Sequence, residues 1–176
     1  MVVERHSTWE PTTRPYDTTS YGEQSSYTDA AIYDYLSRYY EMSRLLESDP
    51  INEAKLAGCD VLVVKTPTSR YLPEETAAIE QFVAAGGRLL LIGEHTDVFK
   101  SSSYANDLAR LFGFKFRLDL LFRIGNPYVQ VYEPPRVPHP IVQYVPRMTF
   151  AVSCSVDPGR SVGRAAVVNT GLWSLP

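Results

Sequence analysis

The sequence predicts an α/β domain, three layers built around a mainly parallel sheet, followed by a β-rich C-terminal extension. Two uninterrupted apolar runs lead to this reading, Val61-Leu62-Val63-Val64 and Leu89-Leu90-Leu91-Ile92. Runs without polar breaks suit strands covered on both faces, as in parallel sheets. Between them, Pro73-Glu74-Glu75 opens a helix and Gly86-Gly87 ends it, giving a strand, a crossover helix and a second strand.

Taken in order, Val2-Val3 is a short first strand. Residues 7–24 form a long polar loop, a kind of segment often functional in compact domains. Trp9, Tyr16 and Tyr21 favour burial, so this is not a flexible linker. A helix is expected over 26–39, with Ala30, Ala31, Tyr33, Leu36 and Tyr40 on its apolar face. Residues 42–46 suit a second strand, and Asp49-Pro50 stops it before a short helix over 51–56. In the crossover helix Pro73 fits the first helical position, and Glu74 and Glu75 complement the dipole. Leu72 is a poor capping residue there. Ile79, Phe82 and Val83 form the buried stripe, and Gly86-Gly87 permits the left-handed turn that closes the helix. Ser102-Ser103 would cap a further helix over 104–112, with Leu108, Leu111 and Phe112 inward and Gly113 as terminator. Residues 114–118 alternate like an edge strand. Beyond residue 123 prolines crowd and helical spacing vanishes. Strands over 128–132, 148–153 and 164–168 are expected there. The division is an α/β domain over 1–123 and a β-rich extension over 124–176. Both ends read as cut, so a longer parent protein is expected.

Composition narrows the function. The chain has 176 residues, of which 44% are hydrophobic and 21% charged. A chain of this size buries about 70% of its unfolded surface. Its formal net charge is -3 and no basic stripe is visible, so nucleic acid is not an expected partner. No apolar run approaches the ~20 residues of a membrane helix. Cys59 and Cys154 are far apart, and Cys59 directly precedes a strand, which favours a structural thiol. Many of the 12 tyrosines fall between Tyr16 and Tyr40, as packing aromatics or as a platform for a sugar.

Three strand ends point to one sheet edge, where ligands of open parallel sheets sit. They carry His6, Trp9 and Glu10; then Lys65, Thr66 and Thr68; then Glu94, His95, Thr96 and Asp97. If the strands are neighbours, two of the three histidines share a crevice with carboxylates, the raw material of acid–base or metal chemistry. Catalytic candidates are His6, Glu94 and His95. The alternative is that these groups only tie down the long loop. Asn106 and Asp119 would reach the crevice from later elements, or else face solvent and end an edge strand. Arg5 and Arg70 would hold an anion, unless solvated or paired as lone arginines usually are. His139, between two prolines, suits surface or turn packing. No nucleophile elbow, dinucleotide loop, P-loop or zinc motif is present, so no cofactor and no metal is expected.

Asp60-Val61-Leu62-Val63-Val64, Pro67-Thr68, Glu74-Glu75, Ile79, Phe82-Val83, Gly86-Gly87 and Leu91-Ile92-Gly93-Glu94-His95-Thr96 together resemble the class I glutamine amidotransferase-like superfamily. More narrowly, they resemble a branch of unknown function similar to domains of gliding-motility transporter auxiliary proteins and of an intraflagellar-transport subunit. His6-Ser7, Trp9-Glu10-Pro11-Thr12, Asn106 and Asp119 fit that branch, and the resemblance spans about residues 2–122. It implies a flavodoxin-like sheet. A working amidotransferase has a cysteine after its nucleophile strand, and the Gly93-Glu94-His95 turn has none. Cys59 lies at the wrong end of a strand, so no thioester route is available. The resemblance implies a non-catalytic domain of a larger, envelope-associated protein. At the crevice it would bind a small polar ligand, carbohydrate among them, or a protein partner, with Trp9 or Tyr21 stacking on the ligand. The competing expectation is a hydrolase using the same histidines and carboxylates, with Glu10 and Asp97, for acid–base or metal chemistry.

Overall fold

A computed structural model of the chain describes residues 1–17, 19, 27–126, 129–132, 144, 146–150, 152–159 and 172–175. Strand β1 (Val2–Val3) leads to helix α1 (Ala30–Leu36), β2 (Arg44–Leu45), α2 (Glu53–Leu56), β3 (Val61–Lys65), α3 (Pro73–Ala84), β4 (Arg88–Ile92) and α4 (Ser101–Ala109). The four strands make one parallel sheet in the order β2-β1-β3-β4. Three antiparallel pairs follow. They join β5 (Lys115–Phe116) to β9 (Val156–Asp157), β6 (Leu120–Phe122) to β10 (Trp173–Leu175), and β7 (Gln130–Tyr132) to β8 (Met148–Phe150). The architecture is therefore mixed α/β, a parallel sheet with small antiparallel sheets after it.

Alternation along the strands decides what each face does. Val3, Leu45, Leu62 and Val64 lie on one face and bury against Leu56, Ile79 and Leu108, which come from α2, α3 and α4. On the other face, the Arg44 guanidinium sits 3.5 Å from the centroid of the Tyr33 ring of α1, a cation–π contact. This second face is open over β3 and β4, where Val61, Leu90 and Ile92 are 39%, 50% and 42% exposed. The expectation that 89–92 is buried on both sides is therefore corrected. β4 is the last strand of its sheet, and its side chains alternate between helix-covered and solvent-facing.

Several boundaries shift for local reasons. α1 is shorter than the expected helix, and Ala31 and Tyr40 lie outside its buried face, which is Ala30 and Tyr33. α4 begins at Ser101, ahead of the expected serine cap, with Lys100 at the N-cap position and Asp97 reaching into the first turn. Its carboxylate accepts from Ser103 N–H at 2.7 Å and Ser103 Oγ at 2.6 Å. Gly113, with φ of 81°, ends the short 3₁₀ turn that follows, and Leu111 points outward. Residues 164–168 and His139 lie outside the described residues, as do Tyr21 and the start of the expected first helix.

Asn106 does neither of the two things expected of it. It is buried on α4, its amide donates to Phe116 O at 2.9 Å, and its carbonyl accepts from Phe116 N–H at 2.8 Å. One side chain thus satisfies both backbone groups of a β5 residue. Replacing it with alanine leaves both groups unpaired in the interior, so Asn106→Ala is expected to lower unfolding free energy by about 2–4 kcal/mol in urea titrations.

Candidate functional site

The chain order reverses between β1 and β3, and the crevice at such a reversal opens at the carboxyl ends of the strands. Lys65, the last residue of β3, is buried there. Its ammonium donates to Ser7 Oγ at 3.1 Å and to the Glu10 carbonyl, and lies 3.7 Å from both Glu4 Oε2 and Asp29 Oδ2. Glu4 is itself buried and accepts from Thr12 Oγ1 at 2.6 Å and Thr12 N–H at 3.1 Å. Burial pushes the Asp29 carboxyl above its ordinary range. Lys65 opposes that rise, while the like charges of Glu10 and Glu4 add to it. The side chain of Glu10 accepts from Thr66 Oγ1 at 3.1 Å.

A second network centres on Glu75, in the first turn of α3 and only 2% exposed. Its Oε2 contacts His6 Nε2 at 2.8 Å and accepts from Leu72 N–H at 2.9 Å, while Oε1 pairs with Arg5. Burial alone would raise this carboxyl. The hydrogen bonds from Leu72, His6 and Arg5 outweigh it and hold the group below its ordinary value. The other nitrogen of His6, Nδ1, lies 2.8 Å from Ser69 Oγ. The imidazole packs 4.7 Å from the buried ring of Tyr71, whose hydroxyl burial and the Glu75 charge push far above the usual phenol range. His6 takes φ of 68°, left-handed for a non-glycine residue, and its carbonyl accepts from Thr68 Oγ1 at 3.2 Å.

Beside these networks lies an open cavity of about 470 Å³ lined by Thr8, Trp9, Thr68, Phe99 and Lys100. The Trp9 ring packs between Phe99 and Tyr27, at centroid distances of 4.7 and 5.0 Å. Thr8 and Thr68 share a hydroxyl contact of 3.0 Å at its edge. Lys100 is exposed and has no ion-pair partner among the described residues.

The turn after β4 is bonded within itself and to the segments that follow it. Glu94 accepts from His95 N–H at 2.8 Å, and its oxygen lies 3.6 Å from His95 Nε2. His95 Nδ1 contacts Thr96 Oγ1 at 2.7 Å, and Thr96 N–H donates to Asp119 O at 3.1 Å. Asp97 is committed to the first turn of α4. Asp119 accepts from Ser155 N–H, Ser155 Oγ and Ser174 Oγ at 2.8, 2.7 and 2.6 Å. Burial opposes ionisation of Asp119, but the Ser174 and Ser155 hydrogen bonds win and keep its carboxyl low. Cys154 lies in the same region, where burial, then the charges of Asp119 and Glu94, push its thiol up to about 11. The Cys59 sulfur contacts Val61 O at 3.2 Å, at the opposite end of β3.

Among the expected residues, the fold therefore gathers His6, Trp9, Glu10, Thr66 and Thr68 around the ends of β1 and β3. Glu94, His95, Thr96 and Asp97 form a separate network after β4, and Asn106 serves packing. Arg5 pairs with Glu75, and Arg70 pairs with Asp107 at 3.2 Å. Among the described residues, no three His, Cys, Asp or Glu side chains converge as a metal ion would require, and no helix is long and apolar enough to cross a membrane. Sequence reasoning passed over Ser7, Ser69, Tyr71 and Glu75. Glu75 was legible only as a dipole partner, because its contacts with Arg5 and His6 span about 70 positions. A lysine ending an apolar run was the one local sign of the first network.

No family model and no curated protein matches this chain. Among solved structures, one titled "mmIFT52 N-terminal domain" is similar, with a TM-score of 0.64 and 14% identity over 91% of this chain and 73% of that one. At that identity the likeness is one of fold alone.

The Glu75 network makes a pH prediction. A carboxyl held below its ordinary value contributes stability above about pH 4.3 and loses it as pH falls through the depressed value. Glu75→Gln is expected to cost about 2–3 kcal/mol at neutral pH, since it strips a buried acceptor from Arg5 and His6. The gap from wild type should close below about pH 4 in denaturant titrations.

Proposed function

We propose that this chain is an amidotransferase-like domain of the flavodoxin-like, three-layer type that does not hydrolyse glutamine. Its strand-end rim binds a small polar ligand, carbohydrate first among them, or a protein partner. The strand order β2-β1-β3-β4 and the likeness to the IFT52 N-terminal domain support the fold assignment. Against thioester chemistry stand a Cys154 thiol pushed up to about 11 and a Cys59 at the far end of β3.

One observation supports binding above the others, the cavity beside Trp9. It joins two aromatic rings, two threonine hydroxyls and an exposed ammonium in an open slot. Apolar ring faces with a few placed polar groups are what a small polar ligand needs. The His6 carbonyl holds Thr68 of the slot through the Thr68 N–H and Oγ1; Glu10 and Thr66, joined to each other, belong to the rim in this reading. In this reading Glu94, His95 and Thr96 extend the rim toward larger ligands.

Trp9 also reports on the site. In a Trp173→Phe background its fluorescence is expected to respond saturably to at least one member of a panel of neutral, amino and acidic sugars. Trp9→Ala should abolish binding measured by calorimetry, at a temperature where circular dichroism shows the variant folded, since the change also removes the packing on Tyr27 and Phe99. A panel without any saturable response would overturn the carbohydrate reading.

A further inference from the structure

Ser69, His6 and Glu75 form a continuous chain of hydrogen bonds at the rim, with Ser69 Oγ 2.8 Å from His6 Nδ1 and His6 Nε2 2.8 Å from Glu75 Oε2. The three residues differ in exposure as a relay requires. Glu75 is buried, the His6 side chain is 10% exposed, and Ser69 is open to solvent. Hydrogen-bond logic fixes the tautomer. An ionised carboxylate only accepts, so the proton of a neutral imidazole sits on Nε2 and faces Glu75. Nδ1 then presents its lone pair to the Ser69 hydroxyl, which donates. The ring cannot swing away, because Tyr71 packs against it and the carbonyl of His6 is held by Thr68.

We propose that Ser69 is a nucleophile activated by His6, with Glu75 as the positioning residue, and that the site cleaves esters of small polar molecules. The constellation of nucleophile, base and orienting acid is recognised by geometry and roles. The choice of ester rests on the binding reading above, since Thr68, which lines the aromatic slot, immediately precedes Ser69. An acylated sugar seated on Trp9 and Phe99 would bring its ester toward Ser69. As the Ser69 oxygen bonds to the acyl carbon, its proton passes to His6 Nδ1. The alcohol leaves and takes that proton. Water then attacks the acyl-serine and gives a proton to the same nitrogen. Ser69 recovers it as the carboxylic acid departs.

The test is covalent labelling of the full chain with a fluorophosphonate, read by intact mass and peptide mapping. A single adduct on Ser69 is expected, absent in Ser69→Ala, an exposed change that leaves the fold intact. Glu75→Ala should slow labelling at least tenfold, and Glu75→Asp should restore part of the rate. Turnover of 4-methylumbelliferyl acetate should fall with the same variants. A wild-type chain that takes no label, or labels elsewhere, overturns the proposal. So does Ser69 labelling that is indifferent to Glu75→Ala. Calorimetry with the sugar panel, run beside the labelling on the wild-type chain, separates the two readings: sugar binding without a Ser69 adduct overturns the nucleophile alone, and a Ser69 adduct without sugar binding overturns the binding reading alone.

Discussion

A lysine ammonium buried at the end of β3 is the constraint around which the rim is organised. Removing a charge from water costs several kcal/mol unless hydrogen bonds and opposite charge replace the solvent. Lys65 meets that demand with Ser7, the Glu10 carbonyl, Glu4 and Asp29, which belong to the chain after β1 and to the residue before α1. The loop is therefore wrapped onto the end of β3. Glu4 carries the effect outward through Thr12, whose hydroxyl also accepts from Arg44 at 2.7 Å. The position of Trp9, one residue before Glu10, follows from the same anchoring. An apolar residue at 65 would keep the strand and lose the loop.

The rim carboxylates divide by what they hold. Glu4 faces the buried Lys65 ammonium, Glu75 pairs with the half-buried Arg5 and with His6, Asp97 and Asp119 tie backbone and serine groups, and Glu94 caps its own turn. In this division the two histidines fall into different networks, at the ends of β1 and β4 with β3 between them. His6 is recruited by an acid from α3, and His95 by an acid next to it in the chain. Hydrogen bonding within each network is extensive, and the polar residues that line the slot beside Trp9 are Thr8, Thr68 and Lys100.

Legibility in the sequence followed the range of the interaction. The β3–α3–β4 unit was readable because apolar runs, Pro73 and Gly86-Gly87 are local signals, and the parallel register of β3 on β4 bears that unit out. The exposed face of β4 was not, since a strand's neighbours are set by topology, and Leu90 reads the same in an edge strand as in a central one. Asn106 illustrates a second limit. Its helix position suggests solvent, yet a backbone segment ten residues later claims its amide. The Ser69–His6–Glu75 chain lay beyond reading for a similar reason. Two of its members are six positions apart, and the third comes from the other end of a crossover.

Backbone strain concentrates where these networks meet. His6, Thr66, Thr96, Asp97, Phe99 and Lys100 all adopt positive φ without being glycine. Such conformations cost of order 1–3 kcal/mol each and persist only where surrounding contacts over-determine them. For His6 those contacts are Glu75, Ser69 and Thr68; for Thr66, Glu10; for Asp97, the two bonds to Ser103. Phe99 packs on the Trp9 ring with half of its surface exposed. The left-handed turn at His6 presents the carbonyl that holds Thr68, so one wall residue of the slot is set by the backbone itself.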